Sequence, residues 1–295
     1  MGTRLFEEAD KNRLISSLML YTMLFLVALF PALAWILTED FCITAILLAV
    51  MFFYAVQNFF YSFSTTMGVV GARKIAHGSE RSQKEKQLLN IVEEMKIASG
   101  YGGNIDVYII EDKSINAMAI SRGNKAAIGA TRGALEKLTR EELSGVISHE
   151  MAHVVNADSD VKLTAFMTLG ILYAYLRIFT RIRPTSNSRK GGAAVMYLLL
   201  AALSIFAYAA GILMFFALSR KRETLADVEG TRFTRNKEAL ISALKKIATN
   251  DAMQVPETAS SLFFANPLSP LESKVMGLFA THPPLEERIR YLQSL

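Results

Sequence analysis

An unbroken apolar run from Leu14 to Leu37, interrupted only by Ser, Tyr and Thr, limits the fold of this chain more than any other feature. At 1.5 Å of rise per residue such a run crosses a hydrocarbon layer about 30 Å thick as a single helix, and nothing in it favours a water-facing surface. After the short Thr38-Glu39-Asp40 turn, Phe41 to Phe63 repeats the pattern with Gln57 and Asn58 as its strongly polar interruptions. The two runs predict a tight transmembrane hairpin over 14–64. Arg4, Lys11 and Arg13 precede it and the turn carries no basic residue, so the positive-inside bias places the segment 1–13 and everything after Ser64 in the cytoplasm. No cleavable signal peptide is expected.

Two further apolar stretches, Leu163 to Phe179 and Ala193 to Leu218, predict a second hydrophobic hairpin over 163–218. Length favours full crossings. The loop between them carries Arg181, Arg183, Arg189 and Lys190 without an acidic partner, which favours a re-entrant hairpin instead. Either arrangement crosses an even number of times, so 65–162 and 219–295 share the cytoplasmic side. Composition agrees: 52% of the 295 residues are hydrophobic and 20% charged, against roughly 45–50% and about 25% in soluble domains. The net charge of +5 is too mild to argue for nucleic acid and suits loops facing anionic lipid. The single cysteine, Cys42, rules out an internal disulfide and a thiolate cluster. Any metal must therefore be held by His, Asp or Glu.

The polar parts read as helices around a small mixed sheet. Leu88, Leu89, Val92 and Met95 have helical spacing, ending near Ser99-Gly100. Ile105 to Ile110 and Lys125 to Ile128 read as strands, with Ile115 to Ala119 extended between them. Thr139 and Glu142 form a capping box opening a helix to about Asn156. A later helix is expected from about Glu238 to Ala248, followed by a loose stretch rich in Pro, Ser and Asn. Leu285, Ile289 and Leu292 mark a last short amphipathic helix.

His149-Glu150-Met151-Ala152-His153 lies within the capped helix. Histidines at i and i+4 share one helix face, so both imidazoles reach one tetrahedral Zn²⁺, and Glu150 sits beside them to take a proton from water. Zinc needs a third protein ligand. Glu223, in Glu223-Thr224-Leu225-Ala226-Asp227, is the best carboxylate on offer, where the last apolar segment continues into water as a helix. Taken alone, it also reads as a solvated acid beside Arg220, Lys221 and Arg222. Asp227, one turn on, can accept the distal N–H of a ligating histidine.

These motifs resemble those of the HtpX family of membrane-bound zinc metalloproteases, relatives of the CAAX prenyl proteases. The likeness rests on the N-terminal hydrophobic hairpin, His149-Glu150-x-x-His153 followed by Asn156-Ala157-Asp158, Ser219-Arg220-x-Arg222-Glu223-x-x-Ala226-Asp227, and Thr281-His282-Pro283-Pro284 with Glu287-Arg288-Ile289. It implies a mainly α-helical membrane protein with a small β-sheet and a zincin-like, gluzincin-type protease domain. His149, His153 and Glu223 would correspond to the ligands of one Zn²⁺ and Glu150 to the catalytic base. Thr224 departs from the bulky residue expected there, without touching a ligand. The resemblance also draws attention to Asn116 and Ala117 as a cleft-edge strand that binds extended peptide by strand addition. His282 is a candidate oxyanion donor and Asp158 an anchor of the motif helix, whereas His77 reads as a surface histidine.

The activity implied is endopeptidase cleavage of damaged or misfolded membrane proteins, and of exposed unfolded segments, at the cytoplasmic face of a prokaryotic plasma membrane. A CAAX-type prenyl-peptide protease shares the chemistry but generally has a longer chain. A non-catalytic zinc-containing adaptor has no use for Glu150, and an ion-coupled transporter would need acidic residues within its spans.

Overall fold

The computed structural model describes residues 2–60, 71–181, 193–249 and 283–295. In chain order these form α1 (Gly2–Thr38), α2 (Phe41–Phe60), β1 (Arg73–Ile75), α3 (Gln83–Ser99), β2 (Asn104–Ile110), β3 (Ala117–Arg122), β4 (Lys125–Thr131), α4 (Arg132–Lys137), α5 (Arg140–Val155), α6 (Asp158–Arg181), α7 (Ala193–Thr234), α8 (Lys237–Ala248) and α9 (Leu285–Ser294). The chain divides into two units: Met1–Ile15, Ser62–Asp160 and Ser219–Leu295 form one, and Ser16–Tyr61 with Val161–Leu218 form the other.

The second unit is built from the apolar stretches. Its interior joins Val27, Phe30 and Ala34 to Leu47, Leu172, Tyr175, Phe179, Leu200 and Ala207. Its outside is equally apolar, with Phe25, Phe52, Leu198 and Phe206 each more than 60% exposed. Helices hydrophobic on every side suit lipid rather than water. Among the described residues three helices are long and apolar enough to cross a membrane, Phe6–Leu37, Asp158–Arg181 and Val195–Thr234, and Phe41–Gln57 is a shorter apolar helix. A Cβ on Gly170 would lie 2.6 Å from the Tyr54 ring, so glycine permits that close helix contact.

In the first unit a mixed sheet of order β1-β2-β4-β3 packs against helices. β2 and β4 run parallel, and β1 and β3 flank them antiparallel. Between β3 and β4 lies a two-residue turn whose first central residue, Gly123, has φ +56°, the position where a type II′ hairpin demands glycine. The core runs from Leu88, Ile91 and Val92 of α3 through Val107, Ile109 and Ile128 of the sheet to Leu143, Val146, Ile147 and Met151 of α5 and Leu240 and Leu244 of α8.

Several boundaries differ from the sequence expectation: β4 runs on from Ile128 to Thr131 and α1 starts at Gly2 rather than Leu14. The extended segment begins at Ala117 rather than Ile115, because Asn116 is spent on Thr131: Thr131 Oγ1 accepts from Asn116 N at 2.9 Å. The approach to Leu163 is already helical from Asp158, after a single left-handed residue, Ala157 at φ +50°. Asp158 and Asp160 occupy the first turn of α6, where negative charge meets the positive end of the helix dipole. β1 escaped the reading because three residues beginning Arg73-Lys74 carry no alternation.

Candidate active site

The helix that carries the paired histidines starts at a cap legible in the sequence. Thr139 Oγ1 accepts from Glu142 N at 3.2 Å, and Glu142 Oε2 accepts from Thr139 N at 2.8 Å. The same carboxylate accepts from Ser242 and Lys246 of α8 at 2.7 and 2.6 Å, which fixes the start of α5. Its other end is held by Asn156, whose side chain donates to Ala152 O and to the buried Glu229 carboxylate. Glu229 also accepts from Arg13 at 2.7 Å. Along α5, His149 and Glu150 are fully buried and His153 half-buried.

Helix α7 lies almost backbone to backbone against α5. A Cβ on Gly230 would stand 2.9 Å from His149 N and 3.0 Å from its Cα, so only a residue without a side chain allows this approach. Residues 223, 227 and 230 recur on one helix face, and the close contact brings Glu223 and Asp227 to the histidines. His149 Nε2 and His153 Nε2 are 3.1 Å apart. The Glu223 carboxylate reaches each of them at 3.5 Å.

The far side of each ring is also engaged. Asp227 Oδ1 accepts from His149 Nδ1 at 2.9 Å and Asp158 Oδ2 accepts from His153 Nδ1 at 2.5 Å. An ionised carboxylate can only accept, so each ring directs an Nδ1–H outward, and in its neutral form turns a bare Nε2 inward. Lone pairs converging this closely repel one another until a cation lies between them. Around a tetrahedral ion with bonds of about 2.0–2.1 Å, ligand atoms stand roughly 3.3–3.4 Å apart, close to the separation of the two rings and to that of each ring from its nearer Glu223 oxygen, Oε2 for His149 and Oε1 for His153. His149, His153 and Glu223 thus form a cluster that fits a metal ion, with donor atoms all within 4.8 Å of one another. Burial and the nearby Arg288 charge push the His149 imidazole down, but Asp227 and Glu223 outweigh them and raise its pKa above the ordinary value.

Two arginines complete the cluster. Arg288 of α9 lies against Asp227, and Arg222 of α7 against Asp158; both are under 5% exposed. Burial pushes the Arg288 guanidinium down, but Asp227, with Glu223 and Glu150 nearby, outweighs it and holds the group more firmly protonated than usual. Five buried carboxylates, Glu150, Asp158, Glu223, Asp227 and Glu229, lie around these two arginines, and Arg13 pairs with Glu229 at 2.7 Å.

The profile of peptidase family M48 matches residues 82–295, which include every residue of this cluster. The chain belongs to family M48. Proteins described as protease HtpX homologues are similar to it over most of their length. One from Bacteroides fragilis is 31% identical, covering 91% of this chain and 94% of its own. Another from Tropheryma whipplei is 36% identical over 82% of each, and one from Streptococcus uberis is 31% identical over 99% of this chain and 100% of its own. The crystal structure of S. mikatae Ste24p aligns with 98% of this chain and 66% of that one, at 17% identity and a TM-score of 0.49. As an M48 peptidase with apolar helices of spanning length, the protein is a membrane metalloprotease.

Of the other residues singled out in the sequence, His282 lies outside the described residues. Asn116 and Ala117 are buried at the start of β3, one of the two edge strands among the described residues. Asn116 Oδ1 accepts from Ala117 N at 3.0 Å, so this amide is already used within the chain. Thr224 bonds back to Arg220 O at 3.1 Å and stays out of the cluster. His77 is exposed, with Glu80 and Glu93 each 3.5 Å away. Sequence reasoning gave no role to Arg288, Arg222 or Gly230. Arg288 did leave a signal, since position 288 shares the apolar face of its helix with Leu285 and Leu292, where an arginine needs a buried partner.

Proposed function

We propose that this M48 protease is a zinc endopeptidase that cleaves damaged or misfolded membrane proteins, and unfolded segments near them, at the cytoplasmic face of a prokaryotic plasma membrane. The observation that carries the reading is the convergence of two bare imidazole nitrogens and one carboxylate at 3.1 to 3.5 Å, in a donor set that zinc prefers. His149, His153 and Glu223 hold the ion and leave one corner of the tetrahedron for water or substrate.

When bound, zinc supplies Lewis acidity toward a carbonyl oxygen and acidifies water. Glu150, one residue after His149 and shielded from bulk solvent, takes the proton from the attacking water. It then delivers that proton to the departing amine. Asp227 and Asp158 keep the two rings in the tautomer that presents Nε2. His282 serves as a donor to the developing oxyanion. Substrate adds to the edge of β3 in extended form, with Asn116 and Ala117 at its start. Ser121 N, on the same outward register as Ala117 and Ala119, donates to Ser159 Oγ at 3.0 Å. The Ala119 amide and carbonyl are therefore the central backbone groups of the strand facing a peptide.

Purified protein in detergent is assayed for bound zinc and for digestion of casein and an unfolded membrane protein. Glu150→Gln retains one zinc per chain and loses cleavage by at least 100-fold, and Glu223→Ala loses the metal. Turnover by the Gln variant at the wild-type rate removes Glu150 from the mechanism, and full zinc in the Ala variant demands another ligand. For orientation, Asn124→Cys in a Cys42→Ser background reacts with an impermeant maleimide only after cells are permeabilised. Labelling of intact cells reverses the proposed topology.

A further inference from the structure

We propose that Arg288 and Arg222 are positioning residues of the metal centre, each clamping the aspartate that orients one of the two histidines. The inference rests on the reading of His149 and His153 as metal ligands, and it assigns a role to two arginines at opposite sides of that pair.

Behind His149 the contacts form a chain. Arg288 Nε donates to Asp227 Oδ2 at 2.9 Å and Nη2 to Oδ1 at 2.7 Å, and that same Oδ1 accepts from His149 Nδ1 at 2.9 Å. A guanidinium gripping both oxygens of a carboxylate fixes its plane as well as its place. Behind His153 the arrangement repeats with different elements. Arg222 Nε donates to Asp158 Oδ1, while Oδ2 of the same carboxylate accepts from His153 Nδ1. Arg222 Nη2 also donates to Asn156 O at 2.8 Å, just past the C-terminus of α5. Each histidine is thus the end of an Arg–Asp–His relay.

Burying a guanidinium strips it of hydration, and a helix-packing role would be served as well by Leu or Met. The expense is understandable if the arginines act on the ring nitrogens. A buried aspartate without the guanidinium that grips it is free to rotate, and the histidine it addresses then loses its fixed orientation. Lysine cannot substitute fully, because an ammonium is a point charge without the planar fork. The placement also gives α9 a role, since the C-terminal helix delivers one clamp while its Leu292 is buried in the core.

The test is zinc affinity of the full-length protein in detergent, by competition with a chromophoric chelator. Arg288→Gln, Arg288→Lys, Asp227→Asn and the double variant Arg288→Gln/Asp227→Asn are compared, and Arg222 and Asp158 are treated in the same way. Arg288→Gln is expected to weaken zinc binding by about 10- to 100-fold, with Arg288→Lys between it and wild type. The double variant should bind zinc no more weakly than Asp227→Asn alone, because the arginine acts through the aspartate. A merely structural arginine would lower stability and leave that non-additivity absent. Zinc affinity of Arg288→Gln within twofold of wild type, or losses that add in the double variant, overturns the proposal. If Arg288→Gln fails to fold, Arg288→Lys decides: a wild-type affinity overturns the clamp and a weakened one supports it. A wild-type protein that binds no zinc refutes the metal-centre reading itself, a different outcome from any of these.

Discussion

Replacing Gly230 by alanine sets two effects of opposite sign against each other. In a helix interior alanine is favoured over glycine by about 1 kcal/mol, so on local grounds the variant should be more stable. The tertiary contact opposes this. The new methyl would stand 2.9 Å from His149 N, 3.0 Å from its Cα and 3.1 Å from Ser148 C, whereas ordinary contact begins at 3.4 Å. None of these three is the end of a flexible side chain, so α7 must move off α5 by about 0.5 Å, and overpacking of this kind costs about 1–3 kcal/mol. The expected net effect is destabilisation by about 1–2 kcal/mol. Asp227 lies one turn from Gly230, and its 2.9 Å bond to His149 Nδ1 stretches by a similar amount, out of the normal hydrogen-bond range. Zinc affinity should then fall about tenfold or more. Denaturant unfolding of the metal-free protein and chelator competition measure the two effects separately. Gly145→Ala is the control: its Cβ would lie 3.0 Å from Leu240 Cα and N on α8, which carries no ligand. It should lose stability and keep zinc. If Gly230→Ala is as stable as wild type and binds zinc equally well, the close approach of α7 is not required for the site.

Acid should release one identifiable contribution to stability. Burial alone would raise the Glu85 carboxyl, but the Arg81 amide and the Arg132 and Arg73 guanidinium groups bring it from 4.5 down to about 2. A carboxyl depressed in the folded state stabilises fully above its unfolded value and loses that benefit as pH falls from about 4.5 toward 2, here roughly 3 kcal/mol. Unfolding titrations between pH 5 and pH 3 should show wild type losing more stability than Glu85→Gln; parallel losses would contradict the assignment. Thr139→Ala removes one half of the capping box and should cost about 1 kcal/mol in the same unfolding assay. Zinc affinity should be unaffected, because the cap lies more than two turns from His149, and a tenfold change would show that the start of α5 tunes the centre.

Several elements were readable because they obey local rules. The apolar stretches declare helices by length alone. Thr139 and Glu142 declare the start of α5, and Gly100, in the left-handed region at φ +71°, ends α3 where the sequence suggested. His149 and His153 share a face through the helix repeat itself. By contrast β1 has three residues and no pattern, and its pairing with β2 is decided by the sheet. Arg222 looked like one member of a solvated basic run, yet it is buried on Asp158. The sequence shows that Arg222 is basic but not what it meets, since burial is a property of packing.

The amino-acid order alone therefore determined the apolar helices, the helix that pairs two histidines, and the exclusion of a thiolate from the set. These follow from helix periodicity, hydropathy and the lack of a second cysteine, all of which act within a turn or a run. Only the tertiary structure decided how far apart the helices lie and which charges face each other across them. That Glu223 comes within 3.5 Å of both rings depends on Gly230 letting two backbones touch. That the rings point the right way depends on aspartates backed by arginines, one of them 139 residues from His149. Such contacts join parts of the chain that no local rule connects, and they arise only once the core has brought α5, α7 and α9 together.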